Sequence, residues 1–384
     1  MLAAFLAALA LLSAGIGIGW GLTREIQGSN SPQTAQTPLQ AVPQPSSSTG
    51  TNLSLEQIAQ RVDPAIVDVV SVFDPAQIGT GTSNGSSSAR RSEGAGTGMI
   101  LTPTGEVLTN NHVIEGSTSL RITIQGRSGT YTATVIGADP TDDVALIQIQ
   151  GVSGLPTVTL ADSSSLTVGQ RVFAIGNALG RGGTPTATEG TVSGVNRSIT
   201  AGGGNTTPEH LTGLIQTDAT IAPGDSGGAL VNSAGQVVGM ITASARVGGL
   251  RPSSNEGYAI AINSALSVVN QIRSGQGSSS IILGKAGFLG VEVRNLDDAA
   301  AAQLGLNVSS GAFVSGILSG TPAAQAGLVQ NSVITAIDGQ TIDSADALGP
   351  VLHGHKPGDR VQVTWVDQSG THTATVRLIA GPAV

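Results

Sequence analysis

The chain of 384 residues contains no cysteine, so neither disulfides nor thiolate chemistry can contribute to its fold or function. Aromatic residues amount to only 2%, and the core must therefore be built from valine, isoleucine, leucine and alanine. Charge is sparse as well: 11% of residues are charged, lysines are few, and the net charge is −8 with the basic residues scattered. That scatter excludes the clustered basic face that nucleic-acid binding requires. No internal repeat is present. What is abundant is glycine, 54 residues of it, together with serine and threonine. From about residue 65 onward, short β-branched runs alternate with clusters of these residues. Strands at such close spacing indicate a double barrel or a sandwich rather than βαβ units, and the length suffices for two domains plus non-globular segments.

Residues 2–22 (LAAFLAALALLSAGIGIGWGL) carry no charge over roughly the length of a bilayer-spanning helix. A cleaved signal peptide would have a basic start and a small-residue cleavage site, and a core helix would have a polar face; this stretch has none of these. Residues 1–23 are therefore expected to be a membrane anchor. Arg24 is the only basic residue nearby and, taken literally, places the bulk of the chain inside. Residues 24–53, rich in Gln, Pro, Ser and Thr, read as a disordered spacer. Order begins with Ser54 and Gln57, a capping box for the helix LEQIAQRV that Pro64 ends. A strand-rich domain follows over 54–273, interrupted by a Gly/Ser-rich loop at 74–95. It closes on a helix capped by Asn263 or Ser264. A linker at 274–283 then leads to a separate module at 284–384, in which Asp343 would cap a helix over 344–352.

Three segments carry the chemistry. Thr109-Asn110-Asn111-His112-Val113-Ile114 sets a histidine directly after a buried-looking strand. Asp139-Pro140-Thr141-Asp142-Asp143-Val144 sets an aspartate at the entry of another, and Gly224-Asp225-Ser226-Gly227-Gly228 presents one serine between glycines. A serine hydroxyl is a weak nucleophile that needs a neutral base within hydrogen-bond reach and a carboxylate to fix that base's tautomer. Glycines beside it leave room for a scissile peptide and free backbone N–H groups to face an oxyanion. The chain order His, Asp, Ser is of the chymotrypsin type. The motifs TNNHVI, DPTDDVAL and GDSGGALVN, followed by a module containing GFLG, resemble the HtrA (Deg) family of trypsin-fold, PDZ-containing serine proteases over roughly residues 54–380.

The resemblance implies a mainly β chain: a chymotrypsin-like double six-stranded β-barrel followed by a small α/β PDZ domain. It implies His112 as general base, Asp143 as its orienting carboxylate with Asp142 the nearest competitor, and Ser226 as nucleophile. The backbone of Gly224 and Ser226, helped by Asp225, would line the oxyanion hole. His210, His353, His355 and His372 have no comparable context. The family usually carries Asn where this chain has Asp225, whose carboxylate is expected to be held by local backbone donors or an arginine. Ile221 and the strand Ile241-Thr242-Ala243 would border a small, apolar substrate pocket, with gating loops near 178–187, 196–211, 219–224 and 244–253. Gly287-Phe288-Leu289-Gly290 resembles the carboxylate-binding loop of PDZ domains. No metal, nucleotide or other cofactor is implied. The expected protein is a single-pass, extracytoplasmic endopeptidase, a homotrimer by family, that cleaves unfolded envelope proteins and takes C-terminal peptides on its PDZ domain. The alternatives are a chaperone with residual proteolysis and a signalling protease for one membrane-protein target.

Overall fold

Ser54 and Gln57 form the expected capping box: the Gln57 N–H donates to Ser54 Oγ at 3.2 Å and the Ser54 N–H to Gln57 Oε1 at 2.9 Å. Helix α1 (Leu55–Val62) follows, and Pro64 turns it into a single 3-10 turn. The computed structural model describes residues 53–73, 92–177, 183–201, 209–244, 256–278, 280–297, 301–302, 304–306 and 308–383. The anchor expected at 1–23 and all but the last residue of the 24–53 spacer lie outside them. Among the described residues, no helix is long and apolar enough to cross a membrane.

Six antiparallel strands make the first barrel: β1 (Ile66–Phe73), β2 (Ser92–Ile100), β3 (Glu106–Thr109), β4 (Ser119–Ile124), β5 (Tyr131–Asp139) and β6 (Val144–Ile149). Their order is β5-β4-β1-β2-β3-β6, and a β5–β6 pairing closes the ring. Six more close the second barrel: β7 (Arg171–Gly176), β8 (Thr186–Ala201), β9 (Glu209–Thr217), β10 (Ala229–Asn232), β11 (Val237–Ser244) and β12 (Gly257–Ala261). The strands read as near-continuous apolar runs because both faces are buried. Ala145, Ile147 and Ile149 of β6 fill the first barrel, whereas Val144 and Leu146 face the cluster between the barrels. On β7, Val172 and Ala174 fill the second barrel, while Phe173 and Ile175 join the same central cluster. This is the period-two alternation of a pleated strand. Each fully buried Val, Ile or Leu contributes roughly 1.5–3 kcal/mol, which is how a core almost without aromatics suffices.

Helix α2 (Asn111–Ile114) is one turn between β3 and β4, and α3 (Ile262–Arg273) closes the second barrel. Neither Asn263 nor Ser264 caps α3 with its side chain; its N-terminal neighbour is Ala261. The capping oxygen comes from elsewhere, since Asn263 N–H donates to Ser163 Oγ at 3.2 Å while Asn263 Oδ1 accepts from Ser163 N–H. The segment read as a linker is also more than a spacer. Its end forms β13 (Ile282–Leu283), which pairs with β5 as a seventh strand on the first barrel.

The C-terminal module contains β14 (Gly287–Phe288), β15 (Val291–Asn295), β16 (Ala312–Ile317), α4 (Pro322–Ala326), β17 (Val333–Ile337), β18 (Gln340–Thr341), α5 (Ala345–His353), β19 (Arg360–Asp367), β20 (Gly370–Arg377) and β21 (Ile379–Ala380). Its main sheet runs β15-β16-β17-β19-β20 around a core including Leu289, Val314, Ile334, Val363 and Trp365. Helix α5 is capped by Ser344, whose Oγ accepts from the Ala347 N–H, and not by Asp343; the Asp343 carboxylate instead accepts from the Ser344 hydroxyl.

Gly137 on β5 marks where α3 and β13 press on the first barrel. A Cβ there would lie 2.8 Å from Ile272 Cγ2 and 2.9 Å from the Ile282 carbonyl oxygen. We expect Gly137→Ala to lower stability by roughly 1–3 kcal/mol, because backbone cannot yield as a side-chain tip can. An unchanged midpoint of chemical denaturation would refute this packing.

Candidate active site

The candidate site is assembled at the seam of the two barrels. Strand β3 ends at Thr109, and the single turn of α2 is fixed by Val113 and Ile114, both buried in the first barrel. His112, just before them in sequence, keeps 35% of its side chain exposed. Across the seam edge, the β5–β6 turn is shaped by Asp139, whose Oδ1 accepts from the N–H groups of Thr141 at 2.9 Å and Asp142 at 3.2 Å. That turn delivers Asp143 in the left-handed region (φ 53°), fully buried. Aspartate is among the few residues that tolerate this conformation.

Asp143, and not Asp142, faces the histidine. Its Oδ2 lies 2.9 Å from His112 Nδ1, its Oδ1 accepts from the His112 backbone N–H at 3.0 Å, and its carbonyl accepts from Asn110 Nδ2 at 3.0 Å. A further donor is the Thr242 hydroxyl, 2.5 Å from Asp143 Oδ2. An ionised carboxylate only accepts, so the arrangement requires Nδ1–H and leaves Nε2 of neutral His112 as the basic nitrogen.

Ser226 sits in a turn of the second barrel pinned from both sides. Asp225 N–H donates to the Ala222 carbonyl at 3.1 Å, Gly228 N–H to the Asp225 carbonyl at 2.8 Å, and Gly227 N–H to the Ile241 carbonyl at 2.8 Å. From the first barrel, Thr97 N–H donates to the Ser226 carbonyl at 2.8 Å and Thr97 Oγ1 to the Gly224 carbonyl at 2.7 Å. Gly227 (φ 85°) has no alternative, since a Cβ would fall 2.0 Å from the Thr97 carbonyl oxygen. Ser226 Oγ donates to the Thr242 carbonyl at 3.2 Å. Among the described residues, neither the Gly224 nor the Ser226 N–H has a protein acceptor, which leaves two donors for a ligand oxygen.

Asp225 is buried behind this turn. Its Oδ2 accepts from the Ala222 N–H at 2.7 Å, so a local backbone donor does hold it, and among the described residues no arginine reaches it. Among the described residues its Oδ1 has no hydrogen-bond partner, and it lies against Gly176, where a Cβ would come within 2.7 Å. Burial pushes the Asp225 carboxyl above the usual carboxylate range, only partly offset by the Ala222 N–H.

Two of the residues expected to border a substrate pocket do something else. Ile241 is fully buried inside the second barrel and lines no surface. Thr242 occupies a β-bulge: Ile241 pairs with Ala259 and Ala243 with Tyr258, leaving Thr242 extra. The bulge turns its hydroxyl onto Asp143 and its carbonyl onto Ser226. Ile221 is half-buried against Gly257, and Ala243 lies on β11 with its side chain outside the described residues. Of the gating loops expected near 178–187, 196–211 and 244–253, residues 178–182, 202–208 and 245–253 are outside them too, and the described ends of 196–211 belong to β8 and β9. Thr97 had no motif to single it out, and Asn110 lay inside TNNHVI without being given a role.

In the C-terminal module, Gly290 (φ 88°) lets the chain turn against Thr321, which a Cβ would approach to 2.2 Å. Gly287 N–H donates to the His355 carbonyl and Leu289 is buried in the core, so these two hold the loop in place. Phe288 packs on Gly381. Strand β15 beyond the loop is an edge strand beside α5, and among the described residues nothing pairs with its outer edge. A peptide added there would complete the sheet.

Comparison with known proteins agrees with this geometry. Residues 96–240 match a trypsin-like peptidase domain and residues 287–378 a PDZ domain. The serine protease PepD of Mycobacterium tuberculosis is 35% identical over 402 aligned residues, covering 100% of this chain and 78% of that protein. The serine protease Do-like HtrA of Lactococcus lactis subsp. cremoris is 32% identical, over 96% of this chain and 92% of its own. The chain belongs to the HtrA family of serine proteases. A further relative, the periplasmic pH-dependent serine endoprotease DegQ of Escherichia coli, is 38% identical over 71% of this chain and 56% of its own length. The fold is accordingly mainly β, with a trypsin-like double barrel and one PDZ domain, and the activity is that of a serine endopeptidase of HtrA type.

Two substitutions check the site's construction in this HtrA protease. Thr242→Val removes a donor from the buried Asp143 carboxylate and is expected to cost roughly 1.5–3 kcal/mol of stability. Thr242→Ser, which keeps the hydroxyl, should cost far less; equal denaturation midpoints for Val and Ser would contradict the assignment. Asp225→Asn tests the buried charge. A carboxyl raised in the folded state is destabilising only when ionised, so its penalty appears as pH rises from the ordinary 3.8 through the raised value. The stability difference should move in favour of the Asn variant between pH 4 and pH 7, and a pH-independent difference would rule this out.

Proposed function

We propose that this HtrA-type endopeptidase cuts unfolded or misfolded proteins of the cell envelope through His112, Asp143 and Ser226. The carrying observation is the Asp143 carboxylate, which meets both the backbone N–H and Nδ1 of His112 and leaves Nε2 as the base. Ser226 Oγ gives its proton to Nε2 as it attacks the scissile carbonyl carbon. The resulting imidazolium is stabilised by Asp143, and the oxyanion falls to the Gly224 and Ser226 N–H groups. His112 then passes the proton to the leaving amine, and water repeats the sequence on the acyl-enzyme with the roles reversed.

The PDZ domain would recruit substrate C-termini. Its Leu289 and Gly290 N–H groups take no carbonyl outside the strand pairs among the described residues, and they adjoin the open edge of β15. The uncharged run at 2–22 supports a single-pass anchor, and the periplasmic relative supports an extracytoplasmic protease domain. A homotrimer is the assembly inferred from family. Full-length protein should degrade casein and lose at least 1,000-fold in rate as Ser226→Ala, since the nucleophile is gone. Comparable degradation by that variant would end this reading.

A further inference from the structure

The PDZ domain is tied to the protease domain at two places, and each tie lands behind one member of the His–Asp pair. The first is in the segment leading into the PDZ domain. Ser280 Oγ donates to Asp139 Oδ2 at 3.0 Å, just before β13 pairs Ile282 with Ala138 and Leu283 with Gly137. Asp139 is buried, and its other oxygen holds the turn that carries Asp143. The second tie lies after the last PDZ strand. Ala383 accepts from the Gly116 N–H at 2.7 Å and donates to the Ser117 carbonyl at 2.8 Å. Those two residues follow α2, the turn that carries His112. The Ala383 side chain packs against the core of the first barrel.

We propose that Ser280 is a positioning residue for catalysis, acting through Asp139 on Asp143, and that the Ala383 clasp does the same for the His112 turn. The proposal rests on the triad reading above. Asp143 is held at a left-handed backbone angle, a conformation that persists only while its surroundings over-determine it. Asp139 supplies that determination from the N-terminal side of the turn, and Ser280 supplies the donor that fixes Asp139. Neither tie touches the Ser226 turn. The PDZ domain is thus connected to the base and its carboxylate rather than to the nucleophile. A small tilt of Asp143 would reach the reaction directly, since misplacement of a catalytic group by a fraction of an ångström lowers turnover while substrate binding persists.

The test uses the full chain and a short chromogenic peptide, with kcat and KM measured for Ser280→Ala, Ser280→Thr, Ala383→Pro and Ser226→Ala, and Tm recorded for each. Ala383→Pro removes the N–H that Ser117 accepts. The expected result is a 3- to 10-fold fall in kcat for Ser280→Ala and Ala383→Pro, with KM within twofold and Tm within two degrees of the parent. Ser280→Thr, which keeps the hydroxyl, should restore kcat to within twofold. An unchanged kcat in Ser280→Ala and Ala383→Pro overturns the proposal. So does a fall in kcat that follows Tm and is not rescued by threonine, because the ties would then be structural alone. Retained turnover in Ser226→Ala would instead overturn the triad, and the positioning role with it.

Discussion

Thr97 joins the two halves of this enzyme. It lies on β2 in the first barrel, fully buried, and each of its polar groups is committed across the seam or along it. The N–H holds the Ser226 carbonyl, and the hydroxyl donates to the Gly224 carbonyl while accepting from the Asn177 N–H. The carbonyl accepts from the Thr109 hydroxyl, three residues before His112. A serine turn from one barrel and a histidine turn from the other are thereby referred to a single residue. Their separation is set by short hydrogen bonds in a place from which water is excluded, where such bonds are strongest and their loss is most costly. The missing side chain of Gly227 is the complement of this clamp, because nothing larger than hydrogen fits beneath Thr97.

The barrels put the clamp where it is through burial on both faces. Each central strand sends alternate residues into its own barrel and into the cluster between barrels, so the two rings press together along one seam. The ends of β3 and β10 and the β5–β6 turn then meet at one rim. Backbone groups at strand ends lack ladder partners, and here those groups bind the loops that carry the chemistry instead. The core achieves this with β-branched side chains, whose restricted rotamers suit a pleated surface.

Much of this was legible in the sequence, and what was missed has a common cause. The strands were visible because apolar runs bounded by glycine and serine are a local property, and Ser54 with Gln57 announced α1 for the same reason. His112, Asp143 and Ser226 were visible because their motifs are contiguous. Thr242 was placed beside the pocket by position, but the use of its hydroxyl on Asp143 was not read, since a one-residue bulge against β12 decides which way its side chain points. Ile241, on the same strand, is buried inside the barrel. The cap of α3 comes from Ser163, a hundred residues away in sequence, and no local pattern could name it. Strand β13 was hidden because a two-residue strand carries no period. Ser344 displaced Asp343 as cap by a shift of one position. In every case the deciding contact was distant in the chain or turned on a single residue of register.

The carboxylates around the site differ in how well they are supplied with donors, and that difference has a direction. Asp143 and Asp139 have partners on both oxygens, which is what an ionised group needs when buried. Among the described residues Asp225 has one donor and one orphan oxygen, and burial pushes it upward. Asp68, hydrogen-bonded to Asn177, and Asp142, beside Asp139, are pushed up by burial as well. For these three the folded state favours the protonated form, so acid relieves them, opposite to the usual behaviour of paired carboxylates. Asp143, which faces His112, and Asp139, which holds its turn, each have three donors among the described residues, whereas Asp225 has one. The carboxylate that meets the imidazole and the one that positions it are thus the best supplied with hydrogen bonds.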